Sequence, residues 1–306
     1  MTYRWRATYS FDYPLLDLPV DIADIRLHPA PPELDRIPRA IHFYEFETTA
    51  LDRDTQQEAE RIYLARLEQL SELSALSPYY SEVSFHSLVL IDGSGAKGYP
   101  ASGVNARFDA KPYVRPGQSP EKLKSEFLLA VQPFIDLQSL NDGVREPICR
   151  ALRWIYRGRD YRIPPDDRLI YRWIAFNSLY MLLNSMDGVV ERSERTSVKE
   201  FEERFRTEVG IISDGAKQLA SSELKLDRGK DRDVSLNLQQ ALQMNDPLVT
   251  QRALECIYAA RCSLFHGSER PAVHVSNLTM SVAAQYLDVY LRKVVREFIA
   301  FCSANS

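Results

Sequence analysis

Long hydrophobic runs are missing from this sequence: no stretch approaches the roughly 18 uninterrupted apolar residues that a membrane-crossing helix needs, so no transmembrane span and no membrane partner are expected. The opening residues, Met1-Thr-Tyr-Arg-Trp-Arg6, lack the basic region and apolar run of a secretion signal, and a cytoplasmic location is expected. Cysteine is scarce. Cys149, Cys256, Cys262 and Cys302 show no CxxC spacing and fall mostly in apolar helical patterns, which predicts buried, reduced thiols rather than a disulfide framework. Histidine is nearly as scarce, with five residues in different predicted elements and no i, i+4 pair, so no metal site is expected. There is no Gly-x-Ser-x-Gly elbow and no internal repeat. Nor is charge of one sign in large excess: 38 Lys+Arg stand against 42 Asp+Glu, so any pull toward nucleic acid must come from a local patch.

What remains is ordinary globular composition, 45% apolar, 10% aromatic and 26% charged over 306 residues, with room for two modest domains. The N-terminal third mixes strands with one helix. Arg4 to Tyr13 alternates aromatic and polar residues, Ile41 to Thr48 and Val83 to Ile91 are rich in aromatic and β-branched residues, and Val104 to Phe108 reads as a further strand. Between them Thr55 and Glu58 have capping-box spacing, Tyr63, Leu67, Leu70 and Ser74 follow at helical intervals, and Pro78 forbids continuation. This predicts an α+β domain over residues 1–116. The Pro- and Gly-containing stretch Lys111 to Pro120 marks the boundary, with Ser119 as an N-cap and Pro120 at the first helical position. From 117 to 306 the periodicity predicts an all-α bundle, with helices near 147–157, 167–184, 198–209, 234–244, 247–265 and 276–302. Residues 187–233 are much more polar than their neighbours and predict a helical insertion on the outside of that bundle.

Gly93-Ser-Gly-Ala-Lys-Gly98 has the GxGxxG spelling after a predicted strand. A dinucleotide site needs a helix to begin at the last glycine; Tyr99-Pro100 and Gly103 follow instead, which predicts a hairpin turn and no dinucleotide cofactor. Lys97 precedes Gly98 and Tyr99 rather than Ser or Thr, so the P-loop pattern fails as well.

Two features point further. Arg145 to Arg172 holds eight arginines and no lysine against four acids, leaving the window at about +4 and, with the chain at −4, the rest at about −8. On the helix after Pro147, Arg150, Arg153 and Arg157 share one stripe opposite Ile148, Leu152 and Ile155. Such an outward row of guanidinium groups suits phosphates and bases of RNA, or is a solvated face paired with acids elsewhere. The second feature is Cys256-Ile-Tyr-Ala-Ala-Arg-Cys-Ser-Leu-Phe-His-Gly-Ser-Glu-Arg-Pro271, where Arg261 precedes His266 by five positions and Gly267 and Pro271 end the helix.

This segment resembles the HEPN family (higher eukaryotes and prokaryotes nucleotide-binding domain), helical bundles whose catalytic members carry Arg-x4-6-His near the end of a late helix. The closing Leu264-Phe265-His266-Gly267 fits, as does an earlier Trp173-Ile-Ala-Phe-Asn-Ser-Leu-Tyr180, a pattern similar to that of family members in prokaryotic defence systems. The resemblance spans about 165–300; residues 1–116 resemble no family. One departure is Cys262, where active members often have Asn or another polar residue. The resemblance implies a metal-independent, cofactor-free endoribonuclease in a defence or toxin-like system, with RNA as substrate and a site composed across a homodimer or a heterodimer with a related chain. A regulatory or antitoxin partner is a further expectation.

In that reading His266 is the acid or base, its ordinary pKa of about 6.5 suiting proton transfer near neutrality, and Arg261 grips the phosphate. Residues five apart lie about 140° apart around a regular helix, so the two meet only if the helix breaks or a second protomer supplies one of them. Asn177, Tyr180 and Asn184 lie along one stripe with Trp173 and are candidates to line the cleft, or are ordinary packing with satisfied amides. A non-catalytic RNA-binding module and a scaffold subunit of a larger defence complex remain alternatives.

Overall fold

A computed structural model describes residues 2–11, 20–29, 40–49, 52–77, 82–91, 97–99, 125, 127–189, 191–213, 215–222, 224–226, 232–265 and 276–305. Among these no helix is long and apolar enough to cross a membrane. The chain divides into two units, residues 1–135 and 136–306. The boundary anticipated at 116/117, the helix start at Ser119-Pro120 and the strand at Val104 to Phe108 lie outside the described residues.

The first unit is an antiparallel sheet carrying one long helix. Its strands are β1 (Tyr3–Phe11), β2 (Val20–Ile22), β3 (Ile25–Pro29), β4 (Ala40–Thr48), β5 (Val83–Leu90) and β6 (Lys97–Tyr99), in the spatial order β2-β3-β4-β1-β5-β6. Helix α1 (Asp52–Leu76) connects β4 to β5 and ends just before Pro78, as its sequence requires. Period-two alternation decides the faces. Trp5, Ala7, Tyr9 and Phe11 of β1 are buried, with Trp5 opposite Phe46 and Tyr9 opposite His42; Arg4, Arg6, Phe43 and Glu45 point away, and Glu45 accepts hydrogen bonds from both arginines. Tyr9 donates its hydroxyl to the Tyr63 carbonyl of α1 at 2.8 Å, and Tyr63 stacks on Phe85 at 4.3 Å between centroids. Residues Lys97–Tyr99 pair antiparallel with β5, a strand where a phosphate-binding loop would have to start a helix; residues 92–96 lie outside the described set.

Helix α2 (Val131–Ser139) runs across the division between the units. The second unit is helical, with α3 (Asp142–Gly158), α4 (Pro165–Met186), α5 (Glu194–Val209), α6 (Ala216–Ala220), α7 (Val234–Gln243), α8 (Val249–Phe265) and α9 (Asn277–Ala304) and a two-stranded ribbon of β7 (Lys225–Leu226) and β8 (Arg232–Asp233). The expected α+β layout followed by helices is present. Starts follow capping chemistry: Asn141 accepts from Val144 N, Ser193 from Thr196 N, Asp233 from Ser235 N and Leu236 N, and Ser276 from Thr279 N. Pro165 opens α4 with Asp166 and Asp167 in its first turn, which suits the positive end of the helix dipole. Helix α3 begins five residues before its expected start and runs through Pro147, because Asn141 supplies a cap that the proline alone does not.

Helices α4 and α9 form the axis, with α3, α5 and α8 packed around them. Phe176 of α4 meets Phe201 of α5 and Tyr290 of α9 edge to face at 5.5 Å, and Phe298 closes on Phe201 and Phe205 at 5.6 Å. This overturns one expectation. Helix α5 belongs to the segment read as an external insertion, yet it buries Val198, Phe201, Phe205 and Val209 in the bundle core. Its exposed positions, dense in Glu, Lys and Arg, dilute an apolar stripe of residues three and four apart. None of the four cysteines forms a disulfide; Cys149, Cys256 and Cys302 are buried and Cys262 is half-buried. Burial pushes the Cys256 thiol up to about 12 and the Cys302 thiol up to about 11.

Candidate functional site

Arg261 sits on the last full turn of α8, and three elements converge on it. Its Nη1 lies 3.4 Å from Glu194 Oε2, at the first turn of α5, and its guanidinium carbon lies 6.0 Å from the ring centroid of Trp173 on α4. The other oxygen of the same carboxylate, Glu194 Oε1, accepts from Trp173 Nε1 at 2.9 Å and from the Tyr180 hydroxyl at 3.0 Å. Seven residues separate Trp173 from Tyr180, two turns of α4, which brings both donors onto one line facing α5. An indole N–H, a phenol and one guanidinium nitrogen all donate to the same carboxylate. Tyr258, one turn before Arg261, packs against Trp173 at 5.7 Å.

The electrostatics match this arrangement. Burial first, then the neighbouring Glu194 charge, raises the Tyr180 phenol well above its ordinary value, so Tyr180 serves as a neutral donor at physiological pH. Glu194 and Arg261 keep 27% and 23% of their side-chain surface exposed. The start of α5 is tied down further: Asn184 Nδ2 donates to Ser197 Oγ at 2.9 Å, Arg192 Nη1 donates to Asn184 Oδ1 at 3.1 Å, and Arg192 also pairs with Glu200.

The structure thus brings together Arg261, Tyr180 and Asn184 with the same α4–α5 edge and does not bring Asn177 there. Asn177 is exposed on α4, whereas Tyr180 and Asn184 are buried and spend their polar groups inside the fold. His266 lies outside the described residues, as do Gly267 and Pro271. On α3, Arg150 and Arg157 are exposed, with Arg157 5.1 Å from the Trp154 ring; Arg153 is half-buried and donates to Glu146 Oε1 at 2.9 Å. Among the described residues no three His, Cys, Asp or Glu side chains converge as a metal would require.

Sequence reasoning missed Glu194. It lies in the polar segment set aside as an insertion, and the signal that finds it is chemical: donors such as Trp173, Tyr180 and Arg261 need an acceptor, and an acid after the N-capping Ser193 supplies one. No protein-family model, no curated protein and no solved structure matches the chain.

Proposed function

We propose that the helical unit is a metal-independent endoribonuclease of HEPN type, in which Arg261 and His266 act on one ribose phosphate at the interface of two protomers. The observation that carries this is the held guanidinium: Arg261, placed by the motif near the close of α8, pairs with Glu194 and lies over Trp173 with 23% of its side-chain surface exposed. A phosphate-gripping arginine needs that combination, since a preset fork loses less freedom when an oxyanion arrives.

In the reaction a base removes the ribose 2'-hydroxyl proton, the 2'-oxygen attacks phosphorus, and the bond to the 5'-oxygen breaks as that oxygen takes a proton. The products are a 2',3'-cyclic phosphate and a 5'-hydroxyl. His266 moves one of the two protons, and Arg261 stabilises the additional charge on the pentavalent phosphorus. Tyr180 and Trp173 act through Glu194 as positioning residues. The exposed Arg150 and Arg157 favour an RNA-holding face on α3, which also serves the reading in which the bundle binds RNA without cutting it.

The test is incubation of RNA with the full chain in EDTA. Cutting with cyclic phosphate ends, lost in His266→Ala and Arg261→Ala while melting temperature and oligomeric state hold, is the expected result. Cutting that survives in His266→Ala defeats the proposal. Salt-sensitive RNA retention with no product at any enzyme concentration, weakened by replacing Arg150 and Arg157, selects the binding reading instead.

A further inference from the structure

The arginine-rich window splits in two. Arg159, just past the end of α3, and Arg172 of α4 turn inward and approach Asp288 Oδ1 at 3.3 and 3.5 Å. Arg145, Arg150, Arg153 and Arg157 instead run along the outside of α3, with Trp154 among them. Arg145 pairs with Asp142 and Arg153 with Glu146. Arg150 and Arg157 are exposed, and among the described residues no carboxylate stands within ion-pair distance of either. Seven positions apart, they are separated by two turns, about 10 Å along the helix.

Between them stands an aromatic shelf. Trp154 is half-buried, its ring 5.3 Å from that of the half-buried Tyr171 of α4 with 36° between the planes, and the Arg157 guanidinium carbon lies 5.1 Å from the Trp154 centroid. Gly158 lets the shelf form: a Cβ there would stand 3.4 Å from Tyr171 Cβ and 3.1 Å from Arg172 Cγ, so the end of α3 seats directly on α4. Of the three tryptophans, Trp5 and Trp173 are each 2% exposed, which leaves Trp154 as the one that meets solvent. Packing accounts for part of this. Trp154 and Tyr171 cover the seam between α3 and α4, and Arg157 in the last turn suits the negative end of the helix dipole. Neither reason asks for Arg150 one turn before Trp154, nor for leaving both guanidinium groups without an acid on a chain whose net charge is −4.

Guanidinium groups bind phosphates, and indole and phenol rings stack on the faces of bases. In a duplex the bases are paired and turned inward, so an outward helix row meets phosphates and riboses alone. In a single strand a base can lie on the shelf while its backbone reaches the arginines on either side. We propose that this face of α3 and α4 holds unpaired RNA, with a base stacked against Trp154 and Tyr171 and backbone phosphates held by Arg150 and Arg157. The inference rests on the reading that the helical unit engages RNA, and it holds whether or not that RNA is cut.

The test is titration of the full chain with a short, end-labelled oligoadenylate carrying 2'-O-methyl riboses, which cannot be cut by 2'-hydroxyl attack, and with its duplex with the matching oligouridylate. Anisotropy of the label reads affinity and tryptophan emission reads stacking. The single strand is expected to bind about tenfold or more tighter than the duplex and to quench emission. In Trp154→Phe the affinity is expected to persist while the quench disappears, which assigns the signal to Trp154. Trp154→Leu keeps an apolar group on the seam and is expected to lose about fivefold or more in affinity, with a thermal melt verifying the fold. Arg150→Gln and Arg157→Gln are each expected to weaken binding and to lower the logarithmic salt slope by about one. Equal affinity for strand and duplex, or a Trp154→Leu affinity equal to that of the wild type, overturns the stacking site and leaves the ribonuclease reading standing, because cutting is scored separately through His266→Ala. Binding of neither nucleic acid overturns both.

Discussion

Glu194 shows how much of a site rests on one residue. Replacing it with Gln keeps an acceptor for Trp173 Nε1 and the Tyr180 hydroxyl but removes the charge that aims Arg261. RNA cutting is expected to fall about 10- to 100-fold in Glu194→Gln with melting temperature nearly unchanged, checked by single-turnover cleavage beside a thermal melt. His42 offers a second residue-scale expectation, in the first unit. Its Nδ1 faces the Arg26 carbonyl at 3.0 Å while Nε2 accepts from Arg66 Nε at 3.2 Å, an arrangement open only to the neutral ring. Burial, with the Arg66 charge adding to it against the Arg26 carbonyl, lowers its pKa from 6.5 to about 4. The unfolded chain then takes up a proton before the folded one, so stability is full above about 6.5 and is lost as pH falls toward about 4. Denaturant titrations at pH 7.5 and 5 are expected to differ by about 2 kcal/mol more in the wild type than in His42→Gln. The spacing that singles out Arg261 and His266 is local in sequence; Glu194 has no such local signal, because its partners lie 21, 14 and 67 positions away.

At the scale of elements, periodicity located α4, α7, α8 and α9 to within a few residues, since long amphipathic stripes and caps are written locally. It missed the role of α5, where average polarity hid the stripe of Val198, Phe201, Phe205 and Val209. Short strands such as β2 and β3 escaped for a different reason: three to five residues carry too few alternations to register, and their pairing is set by β4. Phe201→Ala is expected to destabilise the second unit by about 3–5 kcal/mol, because Phe176, Phe205 and Phe298 all lose a partner and cannot collapse into the gap. An external insertion would tolerate that change within about 0.5 kcal/mol, so chemical denaturation of the variant separates the two pictures.

For the whole molecule the open question is assembly. If Arg261 and His266 meet only across two protomers, Arg261→Ala and His266→Ala proteins are each expected to be inactive, and an equimolar mixture after full subunit exchange to recover about a quarter of wild-type activity, one intact site in the half of the dimers that are hybrids. Activity that never returns in exchanged mixtures, with hybrid formation verified by mass, argues for a site within one chain. Net charge of −4 leaves no long-range attraction for RNA, so association is expected to depend on the arginine window alone and to weaken steeply with salt. Sharing one carboxylate among α4, α5 and α8 has a mechanical consequence. The first turn of α5 is therefore the proposed site's weakest joint: under the ribonuclease reading, displacing it would swing the arginine out of aim and stop cutting without any competition for RNA.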